Sequence, residues 1–236
     1  MSLWTLAQTT LDSTNSGHLT LDTVLYTIYL AVALLVAVTI HEYVHAMVAT
    51  RLGDPTPRQA GRLTLDPRPH VDPFGTLFLP AILLLPVLFG RTLFPVFAYA
   101  RPQPLNPWNL RNRTSDSLWI AVSGPAANVV LAFVFGAIER ATKGQGQLGL
   151  LIHAFLIVNV IMAVMNLVPL PGLDGSKVLA RFLPPRAREV YTSLDPYLAL
   201  FILVVFFLLA GPIFSFVSVI GNGICSLVSG GSCLPG

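Results

Sequence analysis

Two histidines flank a glutamate inside the first long apolar run: His41-Glu42-Tyr43-Val44-His45. On a helix, His41 and His45 are four residues apart and share one face. Two imidazoles so placed can hold one zinc ion, and Glu42 beside them can handle the proton of a water. The surrounding stretch, Val24–Ala49, has no other charged residue. Ionisable groups at the depth of a membrane are costly and are kept for function. An H-E-x-x-H pattern arises by chance in soluble helices. Inside an apolar span the chance reading weakens, because each histidine would then be buried without a partner.

A third ligand is expected elsewhere. The chain holds a second unusual segment, Asn166-Leu167-Val168-Pro169-Leu170-Pro171-Gly172-Leu173-Asp174-Gly175. Its prolines and glycines break a helix and free backbone groups. Asp174 follows the break. It could cap the next helix, or it could complete a His-His-Asp set whose fourth position stays open for water, as a hydrolase requires.

The elements that position these residues follow from composition. The chain has 236 residues, 54% hydrophobic and 11% charged, and a mean hydropathy of +0.71. A soluble domain carries about 25% charged residues, so this reads as an integral membrane protein. A net charge of +3 gives no reason to expect a nucleic-acid partner. Residues 1–23 are polar and lack Lys and Arg, unlike a signal peptide. Residues 24–220 read as one membrane domain with an uncleaved first anchor, and 221–236 as a Gly/Ser-rich tail. Cys225 and Cys233 could pair there or stay free.

Five apolar stretches approach bilayer-spanning length: Val24–Ala49, Pro73–Gly90, Leu118–Ile138, Leu148–Pro169 and Tyr197–Ile220. The expected fold is all-α and polytopic, with four to five transmembrane helices, a re-entrant segment and short extended strands. Arg62–Asp66 alternates weakly, and the proline-rich Phe94–Pro107 reads as extended chain. If Pro73–Gly90 enters and Phe94–Ala100 returns, eleven of the Lys and Arg residues share one side and three the other. If all five stretches cross, the split is six to eight in the wrong sense. The positive-inside rule therefore favours the re-entrant arrangement, which also puts Asp174 on the same membrane face as His45.

The chain resembles the site-2 protease family of intramembrane zinc metalloproteases. The resemblance rests on His41–His45, on Asn166–Gly175 as N-x-x-P-x-P-x-L-D-G, and more weakly on Ser123-Gly124-Pro125-Ala126-Ala127-Asn128. It extends from about Val24 to Pro212. It implies one zinc per chain on His41, His45 and Asp174, Glu42 as catalytic acid/base, and a substrate-facing role for Asn166. It further implies single-span or signal-peptide-like membrane protein substrates, cleaved in or near their transmembrane segments. It points to a bacterial cytoplasmic membrane with the active site toward the cytoplasm. There is no room for the PDZ or CBS domains that other members carry, so a compact form is expected.

Other polar residues read more plainly. His70 and Asp72 belong to a solvated loop or support the site from behind. His153 is a partnered interior histidine, some four helical turns from Asp174. Asn128 and Asn159 serve as interhelical hydrogen-bonding groups. Arg51, Asp54, Arg58 and Arg62 mark the membrane–water boundary, with the arginines setting orientation. Two competing functions stay open. A metal-ion transporter also uses broken helices with His and Asp, but does not need Glu42. A zinc-stabilised scaffold needs four protein ligands, with His70 as the fourth.

Overall fold

The computed structural model describes residues 21–89, 96–142, 145–231 and 233–234. Helix α1 spans Leu21–Arg51, and a single helical turn, α2, spans Thr56–Gln59. A π-helical turn at Pro73–Phe78 leads into α3, Leu79–Leu88. Helix α4 is Arg113–Thr142, α5 is Gly146–Leu167, and α6 is Asp174–Ala180. Helices α7, Pro185–Thr192, and α8, Leu198–Val228, complete the order.

Among the described residues three helices are long and apolar enough to cross a membrane: α1, α4 and α5. They pack against one another in all three pairs. Ala33, Ala37, Ala132 and Ala154 are fully buried and let the backbones approach closely. Helix α5 is central, buried on nearly every side from Ile152 to Asn166. In contrast, α1 leaves Ile28, Val32, Leu35 and Val36 exposed, as a lipid-facing stripe requires. The hydroxyls of Thr27 and Thr39 donate to the carbonyls of Thr23 and Leu35, one turn back, so neither leaves an unmet donor in the apolar span.

One expectation needs correction. The described residues contain no β-strand. Arg62–Asp66 forms bends, because Thr64 Oγ1 accepts from the Asp66 amide and the Thr64 carbonyl pairs with His70 Nε2. Such local bonds compete with a ladder. Val96–Ala100 is neither helix nor strand (Phe94 and Pro95 lie outside the described residues). Three spans are found among the described residues, beside the four to five expected. The helical part of Pro73–Gly90 is shorter than a full span, and α8 carries Pro212 within its 31 residues.

Residues 99–101 nevertheless lie back against residues 70–76. The Tyr99 amide donates to the Gly75 carbonyl at 3.2 Å, and the Arg101 amide to the His70 carbonyl at 2.9 Å. Thr76 Oγ1 donates to the Tyr99 carbonyl. Gly75 is required at this contact, since a methyl group there would overlap the Tyr99 ring.

The far end of the bundle is closed differently. Helix α8 continues through 221–228, residues expected to belong to a tail. Cys225 and Cys233 are joined by a disulfide. Asn222 Oδ1 accepts from the amides of Cys233 and Leu234 and holds the returning chain. Gln147, in the first turn of α5, bonds Asp22 and Tyr29 of α1 at this same end.

Candidate metal centre

The break after α5 delivers Asp174 to α1. Val168 and Pro169 end the helix, and Gly172 takes a φ of +89° that favours glycine. Gly175 lets α6 abut the end of α5, because a side chain there would strike the Leu167 and Val168 carbonyls. Asp174 thus opens a new helix right against the histidine face of α1. It does not cap that helix: its carboxylate faces His41, His45 and Lys177.

Three ligand atoms converge. Asp174 Oδ2 lies 3.0 Å from His41 Nε2 and 2.9 Å from His45 Nε2. The two Nε2 atoms are 3.0 Å apart. These separations approach the edge of a tetrahedron with metal–ligand bonds of ~2.0–2.1 Å, which is roughly 3.3 Å. All three residues are buried.

The opposite nitrogens fix the tautomers. His41 Nδ1 faces Asn128 Oδ1 at 2.6 Å, and His45 Nδ1 faces the Ile120 carbonyl at 2.7 Å. Both partners are acceptors only at those atoms, so each Nδ1 carries a proton, and in the neutral ring each Nε2 presents a lone pair. Two lone pairs and a carboxylate oxygen then point at one small volume. Without a cation that arrangement is repulsive; with one it is a ligand set. The residues present therefore fit a metal ion.

Helix α4 supplies this support. Pro125 lacks an N–H and leaves the Ala121 carbonyl without its helical donor; one residue earlier, the Ile120 carbonyl accepts from His45 Nδ1 and from the Ser123 hydroxyl. Gly124 lies flat against the imidazoles, and any side chain at this position would overlap both Nε2 atoms. Asn128 is oriented from behind by Asn159, whose Oδ1 accepts from Asn128 Nδ2 at 2.9 Å. Asn159 in turn donates to the Phe155 carbonyl. The Gly-Pro segment thus forms the floor of the site.

The remaining residues divide clearly. Glu42 sits with His41 and His45 in a cluster whose ligand atoms lie within 4.8 Å of one another. Its Oε2 is buried without a partner. Asn166 lines the same cavity, of about 750 Å³, and donates through Nδ2 to the Met162 carbonyl at 2.9 Å. Lys177 Nζ donates to Asp174 Oδ1 at 3.2 Å, a partner that the three-residue spacing on α6 offers and that sequence reasoning passed over. His70 is buried rather than solvated, and it bonds the Thr64 carbonyl instead of offering a fourth ligand. Asp72 lines the cavity and caps the π-helical turn through the Phe74 and Gly75 amides. Asp54 ties the loops beneath the site together, bonding Thr56, Asn106 and Asn109. Burial alone would raise its pKa. The hydrogen bonds from Thr56, Asn109 and Asn106 outweigh that effect, and the pKa is lowered.

Two histidines one helical turn apart, a glutamate between them and a distant aspartate, all at one open cavity, define a metallohydrolase-type centre. Curated relatives carry matching names. The chain is 33% identical over 188 residues to "Putative zinc metalloprotease YwhC" of Bacillus subtilis, covering 75% of this chain and 80% of the relative. It is 31% identical over 176 residues to "Putative zinc metalloprotease Rip2" of Mycobacterium tuberculosis, covering 73% and 64%. Rip2 of Mycolicibacterium smegmatis is 32% identical over 160 residues, covering 66% and 57%. No family model and no solved structure matches the chain. The chain belongs to the site-2 protease family.

Proposed function

We propose that this protein is an intramembrane zinc endopeptidase that cleaves membrane proteins in or near their transmembrane segments. The observation that carries the reading is the convergence of His41 Nε2, His45 Nε2 and Asp174 Oδ2 with both histidine tautomers fixed from behind. One zinc ion per chain would be held by these three residues. When bound, zinc acidifies a coordinated water to a pKa of about 7 and polarises a carbonyl.

The chain's own groups supply the rest. Glu42 Oε2, unpartnered and facing the cavity, takes a proton from the attacking water and returns it to the leaving amine nitrogen. Lys177 neutralises the outer oxygen of Asp174 and holds the carboxylate in place. Asn166 spends one N–H on Met162, and its second N–H is free for the substrate carbonyl oxygen. A substrate helix must unwind first, since its carbonyls are bonded internally. Ala98, Tyr99 and Ala100 line the cavity as chain outside any helix, backbone on which an opened segment can pair.

Two independent features support an active site toward the cytoplasm. The loops at the site end carry most of the Lys and Arg. The Cys225–Cys233 disulfide lies at the other end, beside the α4–α5 turn, where Val228 meets Gly136; disulfides persist on the oxidising side. The out-and-back path between Gly75 and Tyr99 supports a re-entrant Pro73–Gly90 segment. A reporter fused after Lys143 is expected to signal outside, and a cytoplasmic signal would defeat the topology. Single-span or signal-peptide-like proteins are the proposed substrates.

Co-expression with single-span proteins tests the activity. Wild type is expected to yield a shortened product, and Glu42→Gln none while retaining its zinc. A metal transporter would keep flux in Glu42→Gln, and that result would overturn the protease reading.

A further inference from the structure

Gln103 is held against the catalytic glutamate with one polar atom left unused. Its Nε2 donates to the backbone carbonyl of Glu42 at 2.9 Å. The acceptor is a carbonyl, so the amide cannot be flipped, and the oxygen must be the atom that points elsewhere. That Oε1 is buried and has no partner. Gln103 lines the same cavity as His41, Glu42 and Asp174.

The segment carrying it is rigid. Pro102 and Pro104 flank Gln103, and a residue before proline is confined to extended backbone. The strap is tied at both ends. The Arg101 amide donates to the His70 carbonyl at 2.9 Å, and the Asn106 amide to Asp54 Oδ2 at 2.7 Å. Arg62 Nη2 approaches the Pro102 carbonyl from behind. A fixed, desolvated acceptor beside a reaction centre is a group waiting for a donor.

We propose that Gln103 Oε1 accepts a backbone N–H of the unwound substrate next to the bond that is cut. The inference rests on the protease reading above. An apolar transmembrane segment has few side-chain donors, but each unwound residue frees a backbone N–H that must be satisfied away from bulk water. Gln103 supplies the complement to such a group, and it reads the substrate's backbone instead of its side chains. It also aligns the peptide with Glu42, because its own anchor is the Glu42 carbonyl.

The test uses the full-length protein in detergent with a set of single-span substrates, each with one amide near the cleavage site replaced by an ester. Wild type is expected to lose about tenfold in kcat/KM at one ester position, the equivalent of one hydrogen bond. Gln103→Met is expected to lose about tenfold on the all-amide substrate, keep its zinc, and show no further loss at that ester. Gln103→Asn, which keeps the amide but shortens its reach, is the second variant and should behave alike. Uniform ester effects in wild type, or an unchanged ester penalty in both variants, would overturn the assignment. A zinc-loaded wild type that cleaves no substrate would fail the protease reading itself, a distinct result.

Discussion

The two ends of this helical bundle each bury a histidine beside a carboxylate, yet among the described residues only one end gathers a ligand set that fits a metal ion. At the far end His153 Nδ1 lies 3.3 Å from Glu139 Oε2, with both residues buried and His153 Nε2 unpartnered. At the near end each imidazole spends Nδ1 on a fixed acceptor and turns Nε2 toward Asp174. The far pair uses its carboxylate on the histidine Nδ1 proton and gathers no second imidazole. In the near set, with both rings neutral, three acceptors face one another with no proton between them. A buried histidine is thus a weak sign of metal binding, whereas convergent lone pairs with tautomers fixed from behind are a strong one.

The contrast can be broken most severely at Gly124. Gly124→Val places methyl groups where the two Nε2 atoms meet, and complete loss of bound zinc is expected by elemental analysis. Asn128→Ala removes the acceptor behind His41 and, with it, the donor to Asn159. Metal affinity should fall about 10–100-fold, the usual effect of losing such a partner, as read by competition with a chelator. The far pair should respond in the opposite way. His153→Ala leaves Glu139 buried and unpaired, at a cost of roughly 3–5 kcal/mol, so thermal stability should drop while zinc content and cleavage rate per folded molecule hold. Lost zinc in His153→Ala would erase the distinction between the two ends.

The smallest effect concerns the loops under the site. Asp54 has a lowered pKa in the folded protein, so it contributes stability above its unfolded value of about 3.9. That contribution is lost as pH falls through the folded value. Asp54→Asn should therefore be less stable than wild type near neutral pH, and the gap should narrow in acid. A gap that stays constant in thermal melts across pH 3–7 would count against this role.

Much of the near end was legible in the sequence because its signals are local. His41, Glu42 and His45 lie within one helical turn, and the prolines and glycines of 169–175 announce a break whatever surrounds them. The partners that arrive from other segments were harder to see. The Ile120 carbonyl leaves no mark in residue type. Gln103 and Asp54 act only once the 51–72 and 101–112 loops interlock. The expected strands fail for a related reason: a weak alternation at Arg62–Asp66 had no neighbouring strand to pair with, and Thr64 and His70 consumed its backbone groups locally.

Zinc content measured together with X-ray absorption at the zinc edge tests the central claim most directly. Wild-type protein is expected to hold one zinc per chain with two imidazole nitrogens and oxygen in its shell, and Asp174→Ala to hold little or none. Stoichiometric zinc with an unchanged spectrum in Asp174→Ala would contradict the account.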